Sequence, residues 1–252
     1  MKEPRIDFLV HPPRTIRCVW LLIWLTCPLT VLAYRPFIST DAAVAEKGIT
    51  EVELGIVDFA HQRAGNTVAS PALRYNYGFA TNWEAVLEGA LQVLDSGGDH
   101  SLRLRDPQLN FKGVLLGGPL QEGRWPISIG LEVGVLLPEP IPGSGFGFQG
   151  VLIGSWRTGK CTLHVNAGCG VERDSREPLG LWGIIVERPI GRNLRLGAEV
   201  NGQLLRGSTA ENSALVGLLW DHGNITYDAG FRFGLTKAAP DVAFTMGLTC
   251  RF

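Results

Sequence analysis

The feature that most constrains this chain is a strict alternation of apolar residues with small or polar ones, repeated along most of its length. In 127–137, Ile127, Ile129, Leu131, Val133 and Val135 fall on one side of an extended backbone, while Ser128, Gly130, Glu132 and Gly134 fall on the other. The same period recurs at 161–171, 194–201, 225–234 and 242–252, and more weakly at 50–60, 67–79, 82–93, 103–116, 145–157, 180–188 and 211–221. That makes about twelve strands, each near the roughly 9 to 11 residues a tilted strand needs to cross a hydrocarbon layer. An even number returns both ends of the sheet to one side, as bacterial outer-membrane barrels require.

A soluble sandwich alternates too, so the content of the polar face decides between the two. A sandwich turns that face to bulk water and fills it with Lys, Glu and Thr, whereas here it holds mainly Gly, Ser, Thr, Asn and isolated charges. Composition agrees: charged residues are 19% against about 25% in soluble domains, and 32 of 252 residues are Gly, well above the usual share of about 7%. An apolar fraction of 45% excludes disorder, and a net charge of -1 excludes a nucleic-acid binder, which needs surplus Lys and Arg. The expected fold is therefore all-β, a transmembrane antiparallel β-barrel of about twelve strands spanning 49–252, in the bacterial outer membrane with lipid around it.

The N-terminus supports export. Lys2, Arg5, Arg14 and Arg17 precede an uncharged apolar run from Cys18 to Ala33, which is short for a spanning helix and is broken by Pro28. Val31 and Ala33 place small residues for cleavage, so 1–33 reads as a cleavable signal peptide and 34–48 as a periplasmic segment or partial plug. The mature chain keeps Cys161, Cys169 and Cys250, too few for a disulfide scaffold, and its scattered His and Cys suggest neither a metal site nor a cofactor.

Connections alternate in length. Those at 79–82, 158–160, 189–192 and 221–224 are short, as periplasmic turns are, while 61–66, 94–101, 138–144, 173–179, 203–210 and 236–240 would face outward. The segment 117–126 is long for its assigned periplasmic side. Trp83, Trp125, Trp156 and Trp220 stand beside these periplasmic connections and Phe252 ends the chain there, as an aromatic girdle would.

Against this background the chain resembles the meta-pathway phenol-degradation family of bacterial outer-membrane barrels. The resemblance rests on the start YRPFISTDAAVAEKG, where Arg35, Pro36, Thr40, Asp41 and Gly48 hold the places of that family's opening segment. Tyr77, Gly78, Asn82 and Trp83 match its second and third strands, and the later strands match in general pattern. The resemblance implies a channel or transporter near aromatic catabolism. Phe252, with apolar residues at alternate positions before it, looks like the signal read by the outer-membrane barrel assembly machinery.

With the apolar sides toward lipid, Glu53, Arg74, Glu84, Glu88, Lys112, Glu132, His164, Arg195, Glu199, Asp228, Arg232 and Arg251 line the lumen, as do Glu51, Glu172 and Glu187. Glu53, Arg74 and Glu84 are placed for a cross-strand ladder, Glu187 for a pair with Arg195, and barrel closure for a pair of Arg251 with Glu53. Eight strands are filled by their own side chains and sixteen leave a channel, so about twelve is intermediate and the inward Gly suggest open volume. The leading function is a channel for small solutes, aromatic or apolar ones included. The alternative is a structural or surface-interaction barrel with an occluded lumen, although the outward loops are short for adhesion. An acyl hydrolase is the minor alternative: there is no GxSxG, His222 lies in a turn, and His100 beside Ser101 in an outward loop does not orient a base toward a nucleophile.

Overall fold

The computed structural model describes residues 35–252 except 64, 97–98, 123–124 and 141–143; the expected signal peptide at 1–33, like Tyr34, lies outside the described residues. Twelve strands follow one another: β1 (Thr50–Gln62), β2 (Gly65–Ala80), β3 (Trp83–Ser96), β4 (Asp99–Leu116), β5 (Ile127–Leu136), β6 (Gly147–Thr158), β7 (Cys161–Val171), β8 (Pro178–Pro189), β9 (Leu194–Leu205), β10 (Glu211–His222), β11 (Ile225–Gly234) and β12 (Val242–Arg251). Each pairs antiparallel with the next, and β12 pairs with β1 from Glu51↔Arg251 to His61↔Val242, so the sheet closes into a barrel. Closure leaves no strand edge, the condition for an open polypeptide backbone to cross lipid at all.

The first four strands are longer and less regular than their alternation suggests. The register slips between Gly55 and Val57 in β1, between Ala69 and Ala72 in β2, and between Arg105 and Gln108 in β4, opposite Ala90 and Glu88. Each slip inserts a residue and reverses which parity faces inward, which blurs a period-two signal read in one dimension. Residues 94–96 and 99–101, expected in an outward loop, instead extend the β3–β4 hairpin, and His100 and Ser101 lie in β4. Main-chain pairing there needs no apolar side chains, so its polar composition resembles a loop.

Outward residues form an apolar wall: Leu152, Val165, Ile184, Val216 and Phe231 are all exposed. Trp83, Trp125, Trp156, Trp220 and Phe252 are exposed on the same wall, at or within a few residues of the end that carries the sheet's two terminal strand ends. The interior is not uniformly polar. Ile153, Ile185, Leu215 and Leu219 point inward and are 0–2% exposed, against an expectation that apolar residues face lipid. Barrel closure with this wall predicts that unheated protein in detergent migrates as a compact band and that boiling shifts it; identical migration of both samples would contradict the closed barrel.

Candidate functional site

Residues 35–48 lie inside the barrel and run round its wall from strand to strand. Arg35 sits against Gly55 of β1 and Gly247 of β12, donates to Thr245 and pairs with Asp228 of β11 at 3.5 Å. Pro36 packs on Gly217 and Gly230, Phe37 on Gly197, and Ser39 on Gly183, carrying the chain over β11, β10, β9 and β8. Ala42 then meets Gly130 of β5, and Glu46 crosses Gly78 of β2. A Cβ at Gly55, Gly78, Gly183, Gly197 or Gly217 would collide with the segment. The inward glycines therefore make room for the chain's own N-terminal segment, which corrects the expectation that they leave the lumen open.

The segment has no regular structure, so its amides need partners supplied by the wall. Glu199 accepts from the N–H groups of Ile38 (2.9 Å) and Ser39 (2.7 Å). Asn166 accepts from the Thr40 N–H and donates to the Thr40 carbonyl, Ser155 accepts from Ala42 at 2.9 Å, and Glu84 accepts from Ala45 at 2.6 Å. The connection 117–126, whose length was out of place, closes under the segment. Its 3-10 turn Leu120–Glu122 gives the Leu120 N–H to the Ala42 carbonyl, and the Gln121 amide donates to the Val44 carbonyl.

Charge is concentrated on the β1–β5 side. Arg74 lies 2.7 Å from Glu88, 3.5 Å from Glu132 and 3.7 Å from Glu53. Glu84, expected on that ladder, instead joins Asp41 around Lys112 at 3.6 and 3.2 Å. Arg251 faces Glu51 in register, so it pairs with Glu51 (3.8 Å) and Glu46 (2.8 Å) while Glu53 stands opposite Thr249, correcting the expected Arg251–Glu53 pair by one inward position. Between segment and wall remains a gap of about 20 Å³, lined by Asp41, Glu51, Glu53, Arg74, Glu84, Lys112 and Arg251 among others, roomy enough for about one water.

Across the lumen, Arg195 pairs with Glu187 (2.7 Å) and Asp221 (3.2 Å). Arg232 sits further toward the opposite end, inward between the exposed Phe231 and Phe233. Glu172 does not face the lumen: it lies just past β7 and caps its own loop, accepting from the N–H groups of Asp174 and Ser175. Asn76, Asn110, Asn166 and Ser155 are among the buried polar residues that the sequence reading did not single out. Ser155 lies 2.8 Å from His164 Nδ1, and His164 Nε2 lies 3.2 Å from Glu187. Despite its likeness to a hydrolase triad, the Ser155 hydroxyl is 1% exposed and already accepts the Ala42 amide, so no substrate carbonyl reaches it.

An outer-membrane β-barrel is the class this wall and lumen define. No family model matches the sequence, and no curated protein matches it. Solved structures do resemble it. The NanC porin superposes with a TM-score of 0.57 at 10% identity, covering 78% of this chain and 98% of its own. A COG4313 outer membrane channel from Pseudomonas putida F1 gives 0.57 at 9% identity over 86% and 100%, and the KdgM porin 0.53 at 12% over 78% and 98%. At these identities the likeness is one of fold.

Two outcomes follow from the docked segment. With Cys161, Cys169 and Cys250 replaced by Ser, Ser39→Cys is expected to react slowly with a soluble maleimide. Adding Gly197→Val, which drives a side chain into Phe37, costs the docked state about 1–3 kcal/mol and speeds labelling roughly tenfold or more; an unchanged rate would show that the segment is not held there. Burial opposes ionisation of Asp41, but Lys112, His164 and the Ala43 N–H outweigh it and hold its carboxyl below the usual Asp value of about 3.9. Its contribution to docking is thus complete above that value and is lost as pH falls through the lowered one. Labelling of Ser39→Cys should accelerate in that acid range, and Asp41→Asn should remove the step.

Proposed function

We propose that the protein is an outer-membrane channel for small solutes, its lumen narrowed by its own N-terminal segment. The observation that carries this reading is the polar, water-sized gap left beside the segment on the charged side of the lumen. The fold shared with two porins and an outer membrane channel supports it. Resemblance of the opening segment to the phenol-degradation family extends the reading to small aromatic or apolar solutes when the segment is displaced, since the gap beside the docked segment admits only a water-sized body. That extension is supported by the inward Val151, Leu181 and Leu215, which give β6, β8 and β10 an apolar lumen face opposite the charged one. Phe252, 72% exposed at the end of β12, is available to the assembly machinery as a terminal aromatic.

Ala42 and Gly130 offer a direct test. A Cβ on Gly130 would stand 3.7 Å from that of Ala42, within disulfide range. In the background without native cysteines, Ala42→Cys with Gly130→Cys should lock the segment to β5. Planar bilayers are expected to show discrete small conductance steps from both the locked and the reduced protein, since the gap lies beside the segment. Deleting residues 35–47 should enlarge the steps several-fold. Silence from every form, the deletion included, would favour an occluded structural barrel.

A further inference from the structure

The charged gap on the β1–β5 side is not balanced. It is lined by four carboxylates, Asp41, Glu51, Glu53 and Glu84, against three cations, Arg74, Lys112 and Arg251, and Arg74 is also shared with Glu88 and Glu132 beyond the lining. Arg35 pairs with Asp228, which adds one charge of each sign and leaves the excess unchanged. On the far side Arg195 stands between Glu187 and Asp221, and Glu199 accepts two peptide N–H groups of the segment. The acidic excess therefore sits where the lumen retains space.

Buried carboxylates in excess need either protons or a counter-ion. Glu53 distinguishes the two. It is 3% exposed, lines the gap, and its Oε2 has no hydrogen-bond partner; Glu132 Oε2 is likewise buried and unpartnered. A proton on Glu53 Oε2 would turn it into a buried donor that needs an acceptor of its own. A cation in the adjoining gap satisfies the same oxygen directly. The gap, about 20 Å³, admits one water-sized body and excludes organic cations. No three His, Cys, Asp or Glu side chains among the described residues converge into a chelating set, so the geometry suits a weakly held monovalent ion rather than a sequestered divalent metal.

We infer that the gap between the N-terminal segment and β1–β5 is a binding site for a small monovalent cation, with Glu53 as its principal ligand, and that it makes the channel cation-selective. The selectivity rests on the channel reading; the binding does not. Favourable but weak binding in an acidic constriction is the condition for passage rather than retention.

Two measurements on the purified full barrel test this. Under a KCl gradient in planar bilayers, the zero-current potential should show K⁺ preferred over Cl⁻ by roughly tenfold or more, with the preference reduced several-fold in Glu53→Gln. Equal permeability or anion preference would overturn the inference. Separately, the temperature at which the compact gel band converts to the unfolded one should be higher in KCl than in N-methylglucammonium chloride of equal ionic strength, and Glu53→Gln should abolish the difference. Equal temperatures for the unaltered protein would overturn the site. A silent barrel that keeps the K⁺ dependence would remove the channel reading and leave the cation site standing. Should Glu53→Gln not assemble, Glu132→Gln, which leaves Arg74 paired with Glu53 and Glu88, serves the same comparison.

Discussion

A peptide laid without secondary structure inside a closed barrel must have its amides satisfied by side chains of the wall, and much of this lumen is organised by that need. Glu199, Asn166, Ser155 and Glu84 project from β9, β7, β6 and β3 and take successive N–H groups of the segment. Lumen carboxylates that read as a lining for solutes are thus partly hydrogen-bond acceptors for the chain itself. Each charge-assisted bond of this kind contributes on the order of 1.5–3 kcal/mol, and stranding a partner would cost at least as much. Such a segment is held by many wall contacts, and its loss at one site is shared among the rest.

The glycines and the charges follow from the same arrangement. Inward Gly on β1, β8, β9, β10 and β12 make room for side chains of the segment, and Gly78 on β2 for its backbone, where any Cβ would collide. Phe37 fills the β8–β10 side together with Ile185, Leu215 and Leu219, a small core in the middle of a barrel. The segment thereby divides the lumen into a packed apolar side and a charged side with residual space. Function, on the reading proposed above, belongs to the second side.

How much of this was legible in one dimension differs between wall and lumen. Twelve strands, their even number, the inward parity of Glu53, Arg74, Lys112, Glu132 and Glu199 and the row of exposed Trp all follow from period two and the turn signals, because a side chain's face depends only on its parity along an unbroken strand. The slips at Gly55/Val57 and Arg105/Gln108 are where parity fails, and Ile153, Ile185, Leu215 and Leu219 show that an inward position can be apolar when something inside covers it. Which charges pair was readable for Glu187 with Arg195, on adjacent strands, but not for Glu84 with Lys112 and Asp41. That choice depends on a third element, the segment, meeting the wall.

The sequence alone determined the wall: alternation sets two faces, composition makes one of them apolar, and twelve such strands demand closure in lipid. Only the tertiary structure decided the interior. Whether an inward glycine is empty or occupied, and whether a carboxylate faces solute, cation or peptide N–H, depends on distances between residues far apart in the chain, such as Ser39 with Gly183 and Ala42 with Ser155. No periodicity records those distances, because they arise from folding the first residues back into the space that the last ones enclose.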